Sequence, residues 1–180
     1  MSQTKTTKDF VEVRIALLTV SDTRDASQDK SGDVLAKRIA DAGHYLAERR
    51  IVKDERDQIA AQLRTWVEDE TVDVVISTGG TGLTGRDVTV EAHRDVYDKE
   101  IDAFSTVFTI VSMQKIGTSA VQSRATGGVA GGTYLFALPG SPGACKDAWD
   151  EILQYQLDYR HGPCNFVEIM PRLDEHLRRK

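Results

Sequence analysis

A glycine-rich loop follows the apolar run at residues 74–76, and its residue types could bind an anion. The run is β-branched throughout, which is typical of a short strand buried on both faces of a parallel sheet. Glycine lacks a Cβ atom, so the loop backbone can adopt positive φ and bring its N–H groups close to a ligand. The loop contains Thr78, Gly79, Gly80, Thr81, Gly82, Thr84 and Gly85. Because the threonine hydroxyls and the guanidinium group of Arg86 add further donors, we expect a phosphate-like group to bind here.

Asp87 ends this loop, and its negative charge restricts what the loop could hold. A carboxylate beside an anion site would repel the anion unless a divalent cation lay between them. The alternative is a tight strand-to-helix turn without a ligand, which glycine loops also form. The segment is not a P-loop, because no Gly-Lys-Ser/Thr sequence follows, and its spacing is not that of a dinucleotide fingerprint.

Polar loops also follow three other predicted strands, at residues 13–20, 45–52 and 133–138. Ligands of open α/β sheets bind at the carboxyl ends of the strands. The Ser-Asp-Thr-Arg sequence after the first strand is either a ligand loop or a serine or aspartate turn. Asp54, after the second strand, is a site residue, or else Asp54 or Asp57 is the N-terminal cap of the next helix. After the last strand, two prolines give the Pro-Gly-Ser-Pro-Gly loop a defined shape.

Apolar residues at helical spacing predict helices between these strands. The predicted helices cover residues 31–42, a segment around Leu63, and residues 89–98, 101–114 and 144–157. Residues 119–128 are predicted to form a loop or an irregular strand. The alternation of strands and helices predicts an α/β fold, with a single three-layer domain whose mostly parallel sheet carries helices on both faces. The four polar loops would then share one rim of the sheet.

The composition is that of an ordinary globular protein. The chain has 180 residues, 40% of them hydrophobic, and a net charge of -5 at neutral pH, which suits one domain with a sizeable core. The negative charge argues against a nucleic-acid partner, since basic residues cluster only at the end of the chain. The longest apolar stretch is too short to cross a bilayer, and residues 1–10 lack the apolar core of a signal peptide. We therefore expect a cytoplasmic protein without a membrane partner.

The domain itself is predicted to cover residues 11–170. Residues 1–10 are predicted to be a flexible polar tail, and residues 171–180 a charged, mobile tail. The predicted helix at residues 101–114 carries more large apolar side chains than covering a sheet requires, which favours a homo-oligomer. Cys145 and Cys164 lack metal-ligand spacing and are predicted to be free thiols.

Five motifs, in this order along the chain, resemble those of the MoaB/Mog family of molybdenum-cofactor biosynthesis proteins. They are Leu-Thr-Val-Ser-Asp at 18–22, Ser-Thr-Gly-Gly-Thr-Gly at 77–82, Arg-Asp-Val-Thr at 86–89, Gln-Ser-Arg-Ala at 122–125 and Leu-Pro-Gly-Ser-Pro at 138–142. Each motif is weak alone, but their shared order makes the combined signal specific. The resemblance covers about residues 13–166, and residues 116–119 and 163–166 are most similar to the MoaB branch.

The resemblance implies the family's α/β fold, assembly into homotrimers or homohexamers, and binding of molybdopterin in the rim pocket. It also implies adenylylation of molybdopterin with Mg-ATP and release of pyrophosphate; the alternative is a non-catalytic molybdopterin-binding or carrier protein. Carried over by position, Asp54 and Asp87 are the predicted catalytic and Mg²⁺-binding residues. The residues predicted to bind molybdopterin or nucleotide are Ser21, Asp22, Thr78, Gly79, Gly80, Thr81, Gly82, Arg86, Ser123, Arg124, Pro139, Gly140, Ser141 and Pro142.

Overall fold

The computed structural model describes residues 8–178, in which six strands form one sheet. The strands are β1 Arg14–Val20, β2 Tyr45–Val52, β3 Val74–Thr78, β4 Lys99–Glu100, β5 Thr126–Ala130 and β6 Thr133–Leu138. Their order across the sheet is β2-β1-β3-β6-β5-β4. The first four strands in this order are parallel, whereas β5 and β4 are each antiparallel to the preceding neighbour. The predicted mostly parallel sheet is confirmed.

Helices cover both faces of this sheet, which confirms the predicted three-layer α/β fold. They are α1 Lys30–Asp41, α2 Arg56–Val67, α3 Thr89–Arg94, α4 Asp102–Ile116 and α5 Pro142–Ala148, which continues through the π-helical turn Trp149–Leu153 into α6 Gln154–Gln156. Helices α1, α4 and α5 pack with Ile15 and Leu17 of β1, whereas α2 and α3 pack with Ala16 and Leu18. Successive side chains of a strand point to opposite faces, so the two groups of helices lie on opposite sides. Within residues 8–178, no helix combines the length and the apolar character needed to span a membrane.

The four parallel strands end at one edge of the sheet, and their loops meet there as predicted. The register places the last residue of β3 opposite the ends of β1 and β6. Backbone hydrogen bonds extend the pairing into the loops, since Ser21 N–H donates to the Val52 carbonyl oxygen at 2.9 Å and Gly79 N–H to that of Leu138 at 3.1 Å. These bonds hold the beginnings of the loops at a fixed separation.

Residues 119–128 contain more regular structure than the sequence indicated. A 3-10 turn, Gly117–Gln122, leads into the regular strand β5. A Cβ atom on Gly128 would lie 2.4 Å from the ring of Tyr97, and one on Gly127 would lie 2.8 Å from that of Phe136. Aromatic side chains therefore pack directly on the backbone of β5. Glycine is depleted in strands, which is why the pattern did not separate a regular strand from a loop.

Both chain ends pack against the domain within the described residues. After α7 Phe166–Ile169, a 3-10 turn Met170–Arg172 and α8 Glu175–Arg178 follow, and Leu173 packs against the core. Residues 171–178 of the predicted tail therefore carry helical structure and an apolar contact with the domain, while their mobility stays a prediction. At the other end, Phe10 stacks on His44 with 5.2 Å between the ring centroids. Residues 1–7 of the predicted flexible tail lie outside the described residues.

Candidate functional site

A cleft of about 510 Å³ opens at the rim where the loops after β1, β2, β3 and β6 meet. The predicted site residues that line it are Ser21, Asp22, Asp54, Gly79, Gly80, Thr81, Gly82, Asp87, Ser123, Pro139, Gly140 and Ser141. The other four, Thr78, Arg86, Arg124 and Pro142, contact or adjoin lining residues. Val20, Thr23, Arg24 and Gln122 also line the cleft and were not predicted as site residues. Thr23 and Arg24 belong to the polar loop after β1, and Val20 and Gln122 belong to two of the five motifs. These positions were the signal by which the sequence could have identified them.

The glycine loop, residues 79–82, has a backbone that favours glycine at two positions. Gly79 has φ of 99° and Gly80 has φ of 63°, values that side chains with a Cβ atom rarely allow. A Cβ atom on Gly79 would lie 2.3 Å from the Val20 carbonyl oxygen. Thr89 Oγ1 donates to the Gly79 carbonyl oxygen at 2.8 Å, and Thr89 N–H donates to that of Gly80 at 2.9 Å. The start of α3 therefore holds the backbone of this loop in place.

The proline loop, residues 139–142, is joined to the glycine loop. Thr78 Oγ1 donates to the Pro139 carbonyl oxygen at 3.0 Å. A Cβ atom on Gly140 would lie 3.0 Å from the Cα atom of Gly79, so the two backbones are in direct contact. Ser141 then caps the N-terminus of α5 with its side chain. The two loops together form one wall of the cleft.

Asp54 presents a half-buried carboxylate that packs against the glycine loop. A Cβ atom on Gly80 would lie 2.6 Å from its Oδ1 atom. The N-cap of α2 is Glu55, which makes no capping bond through its side chain, so the interpretation of Asp54 as a helix cap is wrong. Burial, and then the charge of Asp22, raise the pKa of Asp54. Among the described residues no lysine or arginine forms a salt bridge with Asp54, so no cationic side chain offsets its charge directly.

Asp87 contacts the other end of the glycine loop in a different electrostatic environment. Its Oδ2 atom accepts from Thr84 N–H at 2.9 Å and from Thr84 Oγ1 at 2.6 Å. These hydrogen bonds lower the pKa of Asp87, so its carboxylate is ionised at neutral pH. A Cβ atom on Gly82 would lie 2.8 Å from the same oxygen. The Asp87 carboxylate thus closes the turn after the glycine loop while lining the cleft.

Arg86 joins the loops that follow β1, β2 and β3. Its Nε and Nη2 atoms donate to the two oxygens of Asp22 at 3.0 and 2.9 Å, and Nη1 donates to Glu55 at 2.9 Å. Asp22 also accepts a hydrogen bond from Asp54 N–H at 3.2 Å. The guanidinium group of Arg86 is therefore engaged by carboxylates at the edge of the cleft.

Arg124 supports the glycine loop directly. Its Nε atom donates to the carbonyl oxygens of Thr81 and Gly82 at 2.9 and 3.0 Å. The two Nη atoms pair with the carboxylate of Glu91 at 2.5 and 3.2 Å. Ser123, the preceding residue, lines the cleft. This stretch thus supplies both a support for the glycine loop and a serine that lines the cleft.

The donors in the cleft fit a cation that arrives with a phosphate better than a preformed metal centre. In the part of the chain that the structure describes, no group of three or more His, Cys, Asp or Glu residues could hold a metal ion. Mg²⁺ at nucleotide sites needs only one or two protein carboxylates, because water and phosphate oxygens complete its coordination. Asp54 and Asp87, which pack against opposite ends of the glycine loop, supply those two carboxylates.

Comparisons with known proteins identify the family. A family model described as a probable molybdopterin binding domain matches residues 16–159. Molybdenum cofactor biosynthesis protein B of Escherichia coli (strain K12) is 46% identical over 166 residues, which cover 92% of this chain and 96% of the relative. This chain belongs to the MoaB family.

Solved structures of MoaB proteins share the fold. A crystal structure of molybdenum cofactor biosynthesis protein B matches with a TM-score of 0.84 and 37% identity, over 93% of this chain and 99% of that one. The tungsten cofactor synthesizing protein MoaB of Pyrococcus furiosus matches with a TM-score of 0.74 and 29% identity, over 91% and 98%. The predicted MoaB branch is confirmed, and the function of the protein lies in molybdenum cofactor biosynthesis.

Proposed function

We propose that this MoaB-family protein binds molybdopterin in the rim cleft and transfers an adenylyl group to it from Mg-ATP. The observation that carries the proposal is the half-buried Asp54 carboxylate, which packs against the glycine loop without a salt-bridge partner among the described residues. A glycine loop beside such a carboxylate suits a phosphate bridged by a cation. Binding of Mg²⁺ with a phosphate would supply the positive charge that Asp54 lacks.

The proposed reaction is a displacement at phosphorus. An oxygen of the molybdopterin phosphate attacks the α-phosphorus of ATP and forms a new P–O bond. The bond from the α-phosphorus to the oxygen bridging to the β-phosphate breaks, and pyrophosphate leaves with the electron pair. Because the attacking oxygen is already ionised, the site must position the reactants and neutralise charge more than it must remove a proton.

The residues of the cleft have separate roles in this proposal. The glycine loop would donate backbone N–H groups to a phosphate, and its fixed conformation means that little reorganisation is needed during the reaction. Asp54 and Asp87 would hold Mg²⁺, which when bound neutralises charge on the phosphate oxygens. By analogy with the family, Ser123 and the proline loop would contact the pterin.

A non-catalytic molybdopterin-binding protein is the second candidate, and two of the arginines at the rim favour it. Arg86 is paired with Asp22 and Glu55, and Arg124 is paired with Glu91. Arginines that stabilise transferred phosphates direct their donors at the ligand, whereas these two direct theirs at the protein. This alternative keeps the cleft and its affinity for molybdopterin but predicts no pyrophosphate.

Incubation of the purified protein with molybdopterin, ATP and Mg²⁺ distinguishes the two candidates. An adenylyltransferase releases one pyrophosphate for each adenylylated molybdopterin, and releases none when either molybdopterin or Mg²⁺ is omitted. Molybdopterin binding without pyrophosphate would support the non-catalytic protein. A wild-type protein that fails to bind molybdopterin would contradict both.

A further inference from the structure

Arg24 differs from the other arginines at the rim because no carboxylate holds it. Its side chain lines the cleft, and Nη1 donates to the Gly140 carbonyl oxygen at 3.3 Å. Within residues 8–178, Arg24 takes part in no salt bridge, whereas Arg86 and Arg124 are each paired with acids. Among the described residues that line the cleft, Arg24 carries the only basic side chain.

The hydrogen bond from Arg24 to Gly140 can be broken at little cost. The Gly140 carbonyl oxygen also accepts from Ser31 Oγ at 2.8 Å, a much better length for a hydrogen bond than 3.3 Å. If the Arg24 side chain moved, this acceptor would therefore remain paired, and no desolvated polar group would be left without a partner. By contrast, the Nε, Nη1 and Nη2 atoms of Arg86 all donate to Asp22 or Glu55, and these carboxylates also neutralise its charge.

The backbone at Arg24 is held at the edge of the cleft even though the side chain is loosely bound. Ser21 Oγ accepts from the N–H groups of Thr23 and Arg24 at 3.3 and 3.1 Å. Ser21 is itself fixed, because its N–H donates to the Val52 carbonyl oxygen at 2.9 Å. The backbone of the loop after β1 therefore holds the Arg24 guanidinium group beside the proline loop.

The acids of the cleft make a cation that no carboxylate holds, such as Arg24, important for binding an anion. Asp22, Asp54 and Asp87 line the cleft, so an anionic ligand meets three acids. A guanidinium group offers a planar pair of donors that matches two oxygens of a phosphate. We propose that Arg24 exchanges its bond to Gly140 for a phosphate group of the ligand, and that it is the side chain by which the cleft recognises phosphate. The identity of that ligand as molybdopterin or ATP rests on the proposed function.

The test compares Arg24→Gln and Arg24→Lys with the wild type. Dissociation constants are measured by titration calorimetry for molybdopterin, ATP and inorganic pyrophosphate separately. Because a charge-assisted hydrogen bond is lost, Arg24→Gln should weaken binding of the contacted ligand roughly 10- to 100-fold. Arg24→Lys should recover part of that loss, and thermal unfolding should stay unchanged in both. Arg172→Gln, which removes the same charge at an exposed position outside the cleft, is the matched control and should bind like the wild type.

Each outcome either supports or removes the role of Arg24 in phosphate recognition. Weaker binding of molybdopterin alone places Arg24 on the pterin phosphate, and weaker binding of ATP alone places it on the nucleotide. Wild-type affinity of Arg24→Gln for all three compounds would overturn the inference, as would a wild type that binds none of them. If the wild type binds pyrophosphate but neither molybdopterin nor ATP, the proposed function fails, and a weaker pyrophosphate affinity in Arg24→Gln would still support phosphate recognition by Arg24.

Discussion

Asp54 and Asp87 contact the same glycine loop, but their surroundings affect ionisation in opposite directions. Burial and the neighbouring Asp22 disfavour the charged form of Asp54, whereas hydrogen bonds from Thr84 favour the charged form of Asp87. The ionised Asp54 is therefore a source of instability that a bound cation would relieve. Acids kept in this way at the cost of stability are common at functional sites.

Asp54→Asn and Asp87→Asn should each slow adenylyl transfer by roughly a hundredfold or more, because a carboxylate facing the metal is lost. Molybdopterin affinity should change little, since the acids would act on the nucleotide side. The double variant should be hardly slower than the slower single variant, because both acids would serve one metal. Steady-state pyrophosphate release and molybdopterin titrations measure these effects. Asp69→Asn, which lies outside the cleft, is the control. If Asp87→Asn transferred adenylate at the wild-type rate, Asp87 would only close the loop and would have no role in the reaction.

The same two variants should change stability in opposite directions. The pKa of Asp54 is raised in the folded protein, so its ionisation destabilises the fold as pH rises from about 3.8 through the folded pKa. Asp54→Asn should therefore unfold roughly 1 to 3 °C higher than the wild type at pH 7. This gain should vanish as the pH falls to about 3.8.

The pKa of Asp87 is lowered in the folded protein, so its ionised form stabilises the fold above about pH 3.8, and the contribution is lost as pH falls through the folded pKa. Asp87→Asn should therefore unfold at a lower temperature than the wild type at pH 7, with the difference shrinking in acid. Thermal unfolding without ligand, recorded from pH 3 to 7, checks both signs. Equal shifts for the two variants would contradict the assigned environments.

The sequence predicted most of the residues that line the cleft but not its ion pairs. Glycine at positive φ and acids at strand ends are local requirements, so residue type and position expose them. The partners of the arginines are set only by folding, since Arg86 reaches Asp22 across 64 positions and Arg124 reaches Glu91 across 33. The loosely held Arg24 could be recognised only once those partners were known.

At the scale of the elements, periodicity located the strands of the parallel sheet and the helices that cover it. Where packing takes priority over local preference, the pattern was less informative. β5 contains adjacent glycines because aromatic rings lie on its backbone, and the helix after the proline loop contains a π-helical turn at Trp149–Leu153 that apolar spacing does not indicate. These features depend on neighbours distant in the sequence.

Gly128→Ala tests the packing on β5. The added methyl group would lie 2.4 to 2.6 Å from three ring atoms of Tyr97, so the ring or the strand must move. We expect a loss of about 1 to 3 kcal/mol in the free energy of unfolding, as for other overpacked cores. Gly132→Ala is the matched control, because nothing lies within 4 Å of its added atom. Denaturant unfolding measures both, and equal stability of the two variants would show that the ring adapts without cost.

At the scale of the whole molecule, α4 leaves an apolar surface uncovered. Phe104 and Phe108 are buried against the sheet, whereas Val107, Ile110 and Met113 are 42%, 54% and 44% exposed. Apolar side chains at spacings of three residues on one helix form a contiguous stripe. Such stripes on globular proteins commonly mark contacts with another subunit.

We predict from this stripe that the protein is a homo-oligomer, and that Ile110→Lys shifts it to smaller species. A lysine in the centre of an apolar interface would have to lose its hydration without a partner, which disfavours association. Multi-angle light scattering at micromolar concentration should give the wild type a mass that is a multiple of 19.9 kDa, and Ile110→Lys a lower mass. Thr65→Lys introduces the same charge at an exposed position on α2, across the sheet from α4, and should assemble like the wild type. A monomeric wild type would contradict the prediction. Loss of assembly in Thr65→Lys would show that the interface lies on the α2 side of the sheet instead.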